Sequence, residues 1–131
     1  MDYLYYLGNA SHTLRVFEHL RKNDNLSVDF ITAVHQIDGW VVRVKLTHSL
    51  SPQQRGDFQA FMSELGIPYK PGIHLKMALW GLETGQSAMD VMHCYQVAIV
   101  SHGGPDETQM DIEAFRNHFI QGLGYCPETL A

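Results

Sequence analysis

With 131 residues, 45% of them hydrophobic and 18% charged, the chain can fill a core without disulfides or a structural metal. A formal net charge of −5 argues against a broad basic face for DNA or RNA, and no window reaches the length of a membrane span. Cys94 and Cys126 lie far apart without a CxxC spacing, which indicates neither a disulfide framework nor a cysteine zinc site. The start of the chain has an early Asp2 and no basic n-region, so a soluble, cytoplasmic protein of one domain, 1–131, is expected.

Asp2 to Leu7, DYLYYL, reads as a first strand ending at Gly8. Asn9 or Ser11 is placed to cap a helix in which Leu14, Phe17 and Leu20 recur at helical spacing up to the polar stop Lys22-Asn23-Asp24-Asn25. Val28 to His48 then reads as a hairpin turning at Asp38-Gly39, a pair suited to a type I′ turn with positive φ at both central residues. That turn sets Ile37 opposite Trp40, His35 opposite Val42, Ala33 opposite Val44 and Ile31 opposite Leu46, all on a core face. Phe30, Thr32, Val34, Gln36, Val41, Arg43, Lys45 and Thr47 fall on the other face, expected to meet water, a ligand or a partner.

The clearest helix follows. Ser51 stands at its N-cap, Pro52 at N1, and Phe58, Phe61, Met62 and Leu65 form an i, i+3, i+4, i+7 stripe, with Gly66 expected to supply a left-handed end. Ile67 to Gly72 reads as a loop. From Ile73 to Trp80 the residues alternate, which fits a strand, and Glu83 to Gln86 reads as a turn. Met89 to Ser101 is taken as a strand, with a short helix over SAMDVMHC as the alternative. His102-Gly103-Gly104-Pro105 stops it, and a last helix runs along Met110, Ile112, Phe115, Phe119 and Leu123 with acidic residues in its first turn. Tyr125 to Ala131 is left as a tail. The expected class is α+β: an antiparallel sheet with helices on one face, in ferredoxin-like β-α-β-β-α-β order, plus an additional strand and helix.

Eight histidines are the compositional oddity, but none has an HxH or HExxH spacing, so no metal and no cofactor is expected. His93 and Cys94 are adjacent and do not form a dyad if extended. His12 and His19, seven apart on a helix, are too distant to share a metal. His35, on the core face, must satisfy its ring nitrogens locally or line a cavity. His102, between a strand and a glycine-led helix start, combines near-neutral titration with backbone that can approach an anion. Its HGG run lacks the GxSxG nucleophile elbow of serine hydrolases.

The residues therefore point to a non-enzymatic binding or regulatory module that contacts a protein partner or itself, forming a homodimer in the latter case. Phe30, Val34, Val41, Arg43 and Lys45 are the candidate surface, because apolar groups ringed by cations on an acidic protein suit an interface. Folding of the last helix over that face would remove it. The alternative is a small-molecule-binding domain or small enzyme using His35 or His102 as acid/base. An accessory protein of a mobile element that mimics or inhibits a partner fits the same residues.

Overall fold

A computed structural model describes residues 2–23, 26–36 and 38–131, apart from the side chains of 105–108. The elements are β1 (Asp2–Leu7), α1 (Ala10–Lys22), β2 (Val28–Gln36), β3 (Gly39–Leu46), α2 (Pro52–Leu65), β4 (Gly66–Pro68), α3 (Ile73–Glu83), α4 (Ala88–Tyr95), β5 (Ala98–Gly103) and α5 (Pro105–Leu123), followed by a 3₁₀ turn at Glu128–Leu130. The sheet order is β4-β1-β3-β2-β5, and every neighbouring pair is antiparallel. The class is thus α+β on a five-stranded antiparallel sheet.

Local chemistry explains the helices that sequence spacing predicts. Asn9 caps α1, its side chain accepting from the His12 N–H at 2.9 Å. At α2, Ser51 Oγ accepts from the Gln54 N–H at 3.2 Å while Gln54 Oε1 accepts from the Ser51 N–H at 3.1 Å, a complete capping box. α5 starts at Pro105 and ends with Gly124 at φ 76°. Gly66 differs from expectation: its φ of −161° is extended, and it serves as a strand residue of β4 packed against Tyr6 and Leu7, where a Cβ would collide.

The β2–β3 hairpin keeps the expected faces but shifts register by two residues. His35 lies opposite Trp40, Ala33 opposite Val42 and Ile31 opposite Val44. Gly39 is the reason. It belongs to β3 rather than to a turn, because a Cβ there would lie 2.6 Å from the Leu7 carbonyl oxygen and the Tyr6 hydroxyl. Side chains alternate with period two, so a shift of two preserves the faces. Ile37, the stop residues Asp24 and Asn25, and the acidic side chains of Asp106 and Glu107 lie outside what is described.

The inner face carries the main core. Tyr3, Tyr5, Leu7, Ile31, Ala33, Trp40, Val42 and Val44 pack under α1, α2 and α5, with Phe17, Phe58, Met62 and Ile112 the large contributions from the helices. The tail is not free. Leu130 is 1% exposed in this core, Trp40 Nε1 donates to the Thr129 carbonyl at 2.7 Å, and Ser11 Oγ donates to the Ala131 carbonyl.

The outer face differs most from expectation. Ile73–Glu83 is a helix, not a strand, and Ala88–Tyr95, preferred above as strand, is a helix capped by Ser87. As a helix, 73–83 buries Leu75, Ala78, Leu79 and Leu82 together, at i, i+3, i+4, i+7; as a strand it would divide them between two faces. Together α3 and α4 cover Val34, Val41 and Ile99 in a second core. Helices therefore lie on both faces of the sheet, not one, and the layer over the outer face is α3–α4, while α5 packs on the inner face. No helix among the described residues is long and apolar enough to cross a membrane.

Candidate functional site

The second helical layer divides the five residues expected to form the interface. Val34 and Val41 are 1% and 0% exposed beneath α3 and α4, so they are core rather than surface. Phe30, Arg43 and Lys45 lie instead in a polar cluster at the β1–β3 side of α3. Arg43 Nη2 donates to Asp2 Oδ2 at 2.6 Å and to Glu83 Oε2 at 2.9 Å. Lys45 Nζ donates to the other Glu83 oxygen. Arg43 and Lys45 both stand over the Phe30 ring, 5.6 and 5.5 Å from its centroid, in cation–π geometry.

Burial works against the Arg43 charge, but the hydrogen bonds to Asp2 and Glu83 outweigh it and raise its pKa above the ordinary value. Hydrogen bonds from Lys45 and then Arg43 lower the Glu83 pKa to about 2. A carboxylate depressed in the folded state contributes stability that is complete above its unfolded pKa of 4.5 and is lost as pH falls toward 2. Glu83→Gln is expected to cost about 1 kcal/mol at neutral pH, a value set by solvent screening of a partly exposed pair. Urea unfolding at stepped pH should show the two proteins converging between pH 4.5 and 2; parallel curves across that window would refute the assignment.

Beside this cluster opens a cleft of about 480 Å³ between strands β1 and β3 and helix α3, lined by Asp2, Leu4, Arg43, Lys76, Met77, Trp80 and Glu83. Its outer lip is apolar. Ile73, Met77 and Trp80 are 78%, 49% and 64% exposed, and their i, i+4, i+7 spacing makes a stripe on the side of α3 that faces away from the sheet. Isolated surface hydrophobics are ordinary; three on one helical stripe beside a cleft form a patch. In sequence Met77 reads first as a filler of core gaps and only second as adaptable surface, Trp80 reads as a sheet-core or interface anchor, and Ile73 reads as a strand residue. The available signal was the surplus of apolar residues in 73–83 once a helical face of Leu75, Ala78, Leu79 and Leu82 is set aside.

The two histidines do not converge. His102 lies on the outer face, its Nδ1 2.6 Å from Thr32 Oγ1 and its ring 4.6 Å from Phe30. Burial, and then the Arg43 charge, lower its pKa below 6.5. His35 lies on the inner face, its ring 4.9 Å from Trp40 and 5.4 Å from Phe115, with Nε2 3.3 Å from Thr129 Oγ1. Burial lowers its pKa too. Each is satisfied by a hydroxyl and packed on aromatic rings, which is how a structural histidine is accommodated. His93 and Cys94 are exposed on α4, and among the described residues no three His, Cys, Asp or Glu side chains gather to hold a metal.

No family model and no curated protein matches the chain. Among solved structures, it is similar to the C-terminal domain of YpbH, with a TM-score of 0.52 and 14% identity over 84% of this chain and 96% of that one. A likeness at that identity concerns the fold alone.

Proposed function

We propose that the protein is a non-enzymatic binding module, acting in the cytoplasm through protein–protein contact at the cleft and apolar lip of α3. The observation that carries this reading is the exposed stripe of Ile73, Met77 and Trp80 beside a cleft with a fully paired ionic floor. A preorganised floor costs little to bring into an interface, while the stripe supplies apolar area to bury, and aromatic anchors dominate binding energy at such surfaces. Phe30, Arg43 and Lys45 support the floor rather than make the first contact. The strand order β4-β1-β3-β2 is read here as a ferredoxin-like arrangement extended by β5.

The test is a photo-cross-linking amino acid at position 77 in living cells, compared with one at Gln53 on the exposed side of α2. A discrete adduct at 77 that is lost in the Trp80→Lys background is the expected result. No adduct at 77, or equal labelling from position 53, would overturn the reading.

A further inference from the structure

We infer that the occupant of the α3 surface is α3 of a second copy of this chain, packed antiparallel about a two-fold axis; this rests on the binding-module reading above. The argument is self-complementarity, which a two-fold interface requires because the same patch must serve both sides. Along α3, Met77 and Trp80 occupy the exposed stripe, and Lys76 and Glu83, seven residues apart, share the flank beside the cleft. In an antiparallel pairing that sets Met77 against Trp80 of the second copy, Lys76 comes opposite position 81 of that copy. Glu83 there lies two residues further on, about 3 Å along the axis, within reach of a lysine side chain. Both contacts then occur twice.

The chemistry of each contact suits the pairing. A methionine sulfur against an indole is favourable, and both side chains are exposed in the single chain. Lys76 makes no ion pair among the described residues, whereas Glu83 has a side chain that is 30% exposed with its charge already held by Arg43 and Lys45. Each Glu83 oxygen accepts one of these bonds, which leaves a second lone pair on each for an incoming lysine. Opposite charge at the two ends of one flank is what antiparallel copies satisfy and parallel copies do not. Ile73, 78% exposed on the same stripe, would add apolar area at the rim.

Sedimentation velocity of the full chain between about 1 and 100 µM tests this directly. A monomer–dimer equilibrium is expected, weakened at least about 10-fold by Trp80→Lys or Met77→Lys and about 5-fold by Lys76→Glu, and unchanged by Met110→Lys on exposed α5. Far-UV circular dichroism confirms that each variant is folded. Carbodiimide cross-linking of mixed ¹⁴N and ¹⁵N protein should yield an isotopically mixed Lys76–Glu83 peptide. A monomer at every concentration, or a dimer indifferent to Trp80→Lys, overturns the inference. Its failure is separable from that of the binding-module reading: a monomeric protein whose position-77 adduct contains a different polypeptide sinks only the second copy, whereas a monomer with no adduct sinks both.

Discussion

Trp40→Ala is expected to destabilise the protein by about 3–5 kcal/mol, the range for removing a fully buried large aromatic. Trp40 is 0% exposed at the end of the inner face, in ring contact with His35 and Phe115. Its indole N–H also holds the Thr129 carbonyl at 2.7 Å, so the substitution opens a cavity and leaves a carbonyl without its partner. That bond is one of several that tie the final 3₁₀ turn, and with it the 1%-exposed Leu130, to the body of the fold, beside the His35–Thr129 and Ser11–Ala131 contacts. Trp40→Phe keeps most of the packing, loses the hydrogen bond and leaves a smaller cavity, and is expected to cost less than Trp40→Ala, about 1–3 kcal/mol. Urea unfolding followed by circular dichroism measures both. Fluorescence is a poor probe here, because the other tryptophan, Trp80, is largely exposed. A loss under about 1 kcal/mol for Trp40→Ala would mean that the turn and the sheet end are not coupled.

How much of this was legible in the residues depended on whether the controlling contact was local. Caps and helical stripes are local, so Asn9, Ser51 and the Phe58–Met62–Leu65 face are readable in the sequence and present in the structure. The faces of the hairpin were legible for the same reason, while its register was not: Gly39 is held in β3 by Tyr6 and Leu7, residues more than thirty positions away. The segment 73–83 carries both periodicities, since alternating Ile73, Leu75, Met77 and Leu79 satisfy a strand as readily as Leu75, Ala78, Leu79 and Leu82 satisfy a helix. Read as a strand, 73–80 leaves the outer face open, and Val34 and Val41 then belong to the expected interface; as a helix it covers them. Arg43, Lys45 and Phe30 were singled out as charge and aromatic together, but their partners Asp2 and Glu83 become neighbours only when α3 folds back over the sheet.

Val34→Glu gives the sharpest separation between an open sheet face and a covered one. On an open face the substitution would act as a surface change within about 0.5 kcal/mol. In the structure Val34 is 1% exposed, packed among Val41, Leu75, Leu79, Val91 and Ile99. The nearest β3 cation on that face, Arg43, is already committed to Asp2 and Glu83. An unpaired carboxylate there must be buried charged or take up a proton, and the expected loss exceeds about 4 kcal/mol, a large share of the stability of a chain this size. Met77→Lys, on the opposite side of the same helix, is expected to stay within about 0.5 kcal/mol when unfolding is followed at a concentration where the chain is monomeric. Urea midpoints for the pair read out the orientation of α3: a large loss at 34 with none at 77 requires that α3 present Leu75 and Leu79 to the sheet and Met77 to solvent. The reverse would turn the helix over and remove the stripe on which partner binding depends.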